Sequence, residues 1–146
     1  MGNRALQLLQ ELIGKKFEGS PSALTAWLQP VVLSADRGKL SCEYQIRKDM
    51  GNAAGILHGG VMAAIMDDII GAAVFTLGED HFFTSINLNV DFLSPGKIGE
   101  KIIANAKVVR EGKTIMHASC ELLSEEGKLI AKSSSNLIRT AFQVKL

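Results

Sequence analysis

Hydrophobic and polar positions change their period several times along this chain. Ala5, Leu8, Leu9, Leu12 and Ile13 recur at helical spacing, with Arg4, Gln7, Gln10, Glu11, Lys15 and Lys16 between them, so residues 3–16 read as an amphipathic surface helix. Gly19, Ser20 and Pro21 interrupt that pattern and predict a loop, with one helical turn around Trp27. From Val31 to Ile46 the period falls to two. Val31 and Leu33 precede a turn at Asp36, Arg37 and Gly38, after which Leu40, Cys42, Tyr44 and Ile46 face one way, the pattern of a β-hairpin. Lys48 to Gly51 then leads into the stretch that dominates the chain, NAAGILHGGVMAAIMDDIIG, residues 52–71.

A helix starting near Gly59 and running to about Leu77 is apolar on nearly every face, which predicts a helix enclosed by other structure. Only Asp67 and Asp68 break it, and two carboxylates exclude a membrane span, since each costs about 2.5–3.5 kcal/mol at a bilayer centre. At 100° per residue Asp67 shares a stripe with Gly60, Ala63, Ala64 and Gly71. That stripe is nearly bare of side chains, so a neighbouring backbone or a ligand must fill the space beside Asp67. Asp68 lies about 100° away and reads as a structural carboxylate paired with a neighbouring strand.

Four strand-like segments follow. Ile86, Leu88, Val90 and Phe92 alternate with Asn87, Asn89 and Asp91 in a strand over residues 83–92; turns at Ser94–Gly96, Glu111–Gly112 and Glu125–Gly127 separate further strands over 101–110, 114–124 and 129–140. Short turns between successive strands predict antiparallel pairing, hence a hairpin, a helix and a meander. About six strands and one long helix give an α+β domain in which a curved antiparallel sheet wraps the helix.

The 146 residues suit one domain spanning 1–146 with its core over about 30–141, and 47% hydrophobic content is enough to bury that core. A formal net charge of +1 gives no sign of a nucleic-acid binder. Cys42 and Cys120 stand in no ligand-like spacing and read as free intracellular thiols, and the amino terminus has no signal-peptide core, so cytoplasmic residence is the expectation. Three scattered histidines predict no metal site.

Asn52 with Gly55, the run Leu57, His58, Gly59, Gly60, then Asp67, the strand bearing Ser85, SPGKIGE, REGKT and GKLIA form an ordered set. On those residues the chain, from about Asn52 to Arg139, resembles the hotdog-fold acyl-CoA thioesterases, in the branch of the phenylacetate-pathway thioesterases and thioesterase superfamily member 2. The resemblance implies an acyl-CoA substrate, with coenzyme A as part of the substrate and no separate cofactor. It also implies a homodimer, often paired into a homotetramer, in which helices face each other and strand edges join. Each site would then take its loop and helix start from one subunit and its carboxylate from the other.

Thioester hydrolysis needs a positioned water, a group to take its proton or attack in its place, and donors aimed at the carbonyl oxygen. The Gly59 N–H, at a helix start, suits an oxyanion, although Gly59 and Gly60 also simply permit a tight entry into the helix. By resemblance Gly59 polarises the thioester carbonyl, Asn52 assists or orients it, and His58 orients Asn52 or lies close to the departing thiolate. Asp67, a carboxylate facing a partly desolvated gap, is the expected general base or nucleophile, and the resemblance implies that Ser85 helps to hold the water. No G-x-S-x-G elbow surrounds Ser85. Lys97, Arg110, Lys113 and Arg139 are candidates for a cationic rim around the coenzyme A phosphates, and Met50, Leu57, Met62, Met66, Phe82 and Phe83 for the acyl pocket.

Two other readings use the same residues. An acyl-thioester dehydratase resembles this chain in setting a histidine against a helix carboxylate, but has a His-Phe-Pro-Gly type loop where Gly59 and Gly60 follow His58 here. A non-catalytic acyl-CoA sensor would keep the fold and lose site residues, whereas Asn52 and Asp67 are both present.

Overall fold

A computed structural model describes residues 2–17 and 19–146. Its elements run α1 (Arg4–Glu11), α2 (Ala23–Leu28), β1 (Val31–Asp36), β2 (Lys39–Gln45), α3 (Gly59–Phe75), β3 (His81–Phe92), β4 (Lys101–Glu111), β5 (Ile115–Ser124) and β6 (Leu129–Gln143), with a 3-10 turn at Lys48–Met50. One antiparallel sheet has the strand order β1-β2-β4-β5-β6-β3. Its inner face presents Leu40, Cys42 and Tyr44, Ile102, Ala104 and Ala106, Met116, Ala118 and Leu122, and Ala131 and Leu137 to the buried face of α3, formed by Met62, Ile65, Met66, Ile69, Ile70, Ala73 and Val74. Period two on the strands and the apolar bulk of α3 meet in this core. This is the α+β sheet-around-helix architecture that the pattern predicts.

Local chemistry sets the ends of the helices. Asn3 caps α1 by accepting from Leu6 N–H, and the helix stops at Glu11 rather than continuing to residue 16. Gly14, at φ +81°, turns the chain there and its N–H donates to Val32 O, so Leu12 and Ile13 belong to a turn. The turn around Trp27 is a full short helix, capped by Ser22 and ended by Gln29 in the left-handed region before Pro30.

Three expectations are corrected. The meander holds only for β4, β5 and β6: β3 pairs with β6, and β2 with β4. Residues 93–100 are not a hairpin turn; they cross the end of the sheet, held by Leu93 and Ser94 N–H to Ile130 O, Leu57 N–H to Gly96 O and Gly99 N–H to Ile46 O. In β1 a register shift between Val32 and Ser34 buries Val32 and Ala35 and leaves Leu33 exposed. Finally, α3 is not enclosed on every side within the chain. The stripe of Gly60, Ala63, Ala64, Asp67 and Gly71 stays partly or fully open, and a Cβ at Gly71 would meet nothing within 4 Å.

Candidate functional site

The entry into α3 is built by Asn52 and His58. Asn52 Oδ1 accepts from Ala54 N–H at 2.9 Å and Ile56 N–H at 3.3 Å, closing the loop as an Asx turn, while Asn52 N–H donates to Ile56 O. His58 is the N-cap of α3, and its Nδ1 accepts from Gly60 N–H at 2.9 Å. A backbone N–H can only donate, so Nδ1 is the acceptor in this contact and Nε2 is the ring position left to carry a proton. The carbonyl of His58 accepts from Val61 and Met62. Among the described residues this leaves the Gly59 N–H as the amide of the first turn without a partner, at the positive end of the α3 dipole. Asn52 Nδ2 likewise has no partner among the described residues.

Two helical turns further on, Asp67 Oδ1 accepts from Ser85 Oγ at 2.7 Å. A bulge in β3 makes that contact. The β3–β6 register shifts between Ser85 and Asn87, so Ser85 joins Leu88 and Val90 on the face toward α3 and Ile86 turns outward, 56% exposed. Asn87 and Ser135 hold the bulge: Asn136 N–H donates to Asn87 Oδ1 at 2.8 Å and Ser135 Oγ donates to Asn87 O at 2.8 Å. Simple alternation along residues 83–92 puts Ser85 with Asn87 and Asn89 on the polar face, and the bulge overturns it.

Asp68 is tied to a helix, not to a strand. Thr25 Oγ1 of α2 donates to Asp68 Oδ1 at 2.7 Å, and burial, more than the neighbouring Asp67 charge, pushes the Asp68 carboxyl above its ordinary range, against the Thr25 hydrogen bond. Met50, Leu57, Met62 and Met66 are packed in the core of the chain; Phe82 and Phe83 border a hollow of about 30 Å³ beside Gly71, room for one water.

The four basic candidates divide between the two ends of the molecule. Lys97 bridges antiparallel to Ile56, beside the α3 start. Lys113 and Arg139 line an open cleft of about 630 Å³ with Glu79, Asp80, Glu111, Gly112 and Thr114, and Arg110 precedes it on β4. Arg139 Nη2 donates to His81 Nδ1 at 2.6 Å and to Asp80 Oδ1 at 3.3 Å. This cleft contains neither Asp67 nor Gly59. Among the described residues no cluster of His, Cys, Asp or Glu is arranged to hold a metal ion, and no helix is long and apolar enough to cross a membrane.

A sequence model of the thioesterase superfamily matches residues 54–131. Human acyl-coenzyme A thioesterase 13 is 36% identical over 102 residues, 69% of this chain and 73% of that one. Among solved structures, zebra fish thioesterase superfamily member 2 superposes with a TM-score of 0.77 at 28% identity, covering 94% of this chain and 96% of that one. The PaaI protein of the E. coli phenylacetic acid degradation operon gives a TM-score of 0.79 at 22% identity, covering 86% and 89%, a likeness of fold.

Proposed function

The chain belongs to the thioesterase superfamily, and from that premise we propose that it hydrolyses acyl-CoA thioesters to a free acid and coenzyme A. The observation that carries the reading is the unpaired Gly59 N–H at the positive end of a helix whose open stripe also bears the Asp67–Ser85 pair. The N–H receives the carbonyl oxygen as it becomes negative. Asp67 has one oxygen occupied by Ser85 Oγ, leaving the other to take a proton from water as the water attacks the carbonyl carbon. The tetrahedral intermediate collapses by expelling the coenzyme A thiolate. Asn52 Nδ2 and His58 Nε2–H are further donors at the same loop.

Gly59 and Asp67 are eight residues apart, about 12 Å along the helix and about 80° around it, so one chain does not aim both at one carbonyl. Residues 59 and 67 lie four positions either side of Ala63. Two α3 helices crossing antiparallel at Ala63 therefore set Gly59 of each opposite Asp67 of the other, and the bare stripe permits that approach. The working unit is then a homo-oligomer with shared sites, a dimer or a pair of dimers, and it needs no separate cofactor. Lys97 stands on the Gly59 side to meet coenzyme A phosphates, whereas Arg110, Lys113 and Arg139 serve the far end. The test is free-thiol release from a panel of aromatic and aliphatic acyl-CoA thioesters by wild type and by Asp67→Asn. Release by the first and its loss in the folded second support the reading; binding without release by wild type sinks it.

A further inference from the structure

Residue 59 is a glycine although its backbone torsion does not require one, since Gly59 is absent from the positive-φ positions. Beyond its chain neighbours, the three nearest atoms that a Cβ placed there would meet all belong to Phe92, with Cε1, Cζ and Cδ1 at 3.3, 3.5 and 3.7 Å. The missing Cβ therefore makes room for an aromatic ring directly on the Cα next to the unpaired amide. Phe92 ends β3 and is 55% exposed, so core packing does not account for its position. The flank repeats the arrangement, because Ile98, 36% exposed, lies against Gly51 at the other end of the same loop.

We propose that Phe92 is a substrate-contacting residue of the thioester subsite, forming the apolar wall against which the C–S bond and first acyl carbons lie while Gly59 N–H holds the carbonyl oxygen. This rests on the hydrolase reading given above. An aromatic wall excludes water from one side of the developing oxyanion and so raises the worth of the single N–H···O bond. It also makes the ring, rather than the glycine alone, a determinant of which acyl groups are cleaved.

The experiment measures kcat and KM for thiol release from one aromatic and two straight-chain acyl-CoA thioesters, with melting temperatures, for wild type, Phe92→Ala, Phe92→Leu, Gly59→Ala and the double variant Gly59→Ala/Phe92→Ala. Phe92→Ala is expected to lower kcat/KM about tenfold, unequally between aromatic and straight-chain groups. Gly59→Ala keeps its N–H but displaces the ring, so the double variant is expected to be no worse than Phe92→Ala alone. Phe92→Leu preserves apolar bulk and supplies the comparison should the alanine variant fold poorly. Unchanged kcat/KM in both Phe92 variants, an equal loss across all three substrates, or full additivity in the double variant would overturn the assignment while leaving the hydrolase intact. Absence of thiol release by wild type would remove the hydrolase reading itself, and this inference with it.

Discussion

Ser85 Oγ donates to Asp67 Oδ1 at 2.7 Å, across a gap that only a bulge in β3 closes. The bond fixes the carboxylate and leaves its other oxygen without a partner among the described residues. Asp67→Asn keeps an acceptor for Ser85 but cannot take the proton, and is expected to lower kcat by about 10²–10⁴. Ser85→Ala loosens the carboxylate without removing it and is expected to cost about tenfold. Thiol-release kinetics on folded variants check both, and wild-type activity in Asp67→Asn would mean that another group takes the proton.

His58 has a structural task that can be measured apart from activity. Its Nδ1 satisfies Gly60 N–H at the start of α3. His58→Ala leaves that donor without its cap and is expected to cost about 1 kcal/mol, a fall in melting temperature of about 3 °C. His58→Asn, whose side chain is a good cap, is expected to recover most of it. A thermal melt of the three proteins decides, and no difference between alanine and wild type would show that the cap contributes nothing.

The raised Asp68 carboxyl gives a pH dependence whose sign follows from burial. The folded state holds the proton more tightly than the unfolded chain, so between the unfolded and folded pKa values stability falls as pH rises, and the cost is fully present above the folded value. Asp68→Asn removes the charge and can still accept from Thr25 Oγ1. The variant is expected to melt above wild type at pH 7, with the difference shrinking as pH falls through the carboxylate range. A constant difference across that range would assign the effect to packing.

Much of this was legible because the relevant signals are local. Asp67 stands out as a carboxylate in an apolar run, and His58-Gly59-Gly60 marks a helix start whose orphan amide needs no tertiary information to expect. β4, β5 and β6 alternate cleanly and pair in order. What was not legible depends on partners distant in sequence. The pairing of β3 with β6 sets its hydrogen bonds against residues 131–143, and the bulge that turns Ser85 inward is held by Ser135 and Asn136. The same bulge turns Ile86 outward, and Phe92 at the end of this edge strand is exposed, although their alternation reads as core. Asp68 finds its partner in α2, where sequence pattern showed only a loop with one turn.

The two thiols are predicted to be inert in the folded protein. Cys42 and Cys120 are buried on the inner face of the sheet, and burial pushes the Cys42 thiol up to about 12 and raises that of Cys120 as well. Both therefore stay protonated at pH 8, where an exposed thiol, with a pKa of about 8.5, is already partly thiolate. A maleimide or disulfide reagent is expected to label neither cysteine in the native state and both after denaturation. The same shift means that stability declines as pH rises above the ordinary thiol range, because only the unfolded chain ionises there. Rapid labelling of the native protein would show that the sheet opens around these strands.

Shared sites can be tested without a structure of the oligomer. Asn52→Ala damages the loop side of a site and Asp67→Asn the carboxylate side. If each site takes its loop from one chain and its carboxylate from the other, a mixed dimer of these two variants has one site carrying both lesions and one carrying neither. Random reassortment at equal amounts makes about half of the dimers mixed, so about a quarter of wild-type activity is expected to return on co-refolding two nearly inactive proteins. A site complete within one chain cannot be rebuilt in this way, since every chain in the mixture carries a lesion. Recovery would also confirm the geometric reason for sharing, that about 12 Å of helix separates Gly59 from Asp67 within a chain. Failure to recover, with mixed dimers demonstrated by differently tagged chains, would require Gly59 and Asp67 to serve the same carbonyl from one helix and would remove the antiparallel crossing at Ala63.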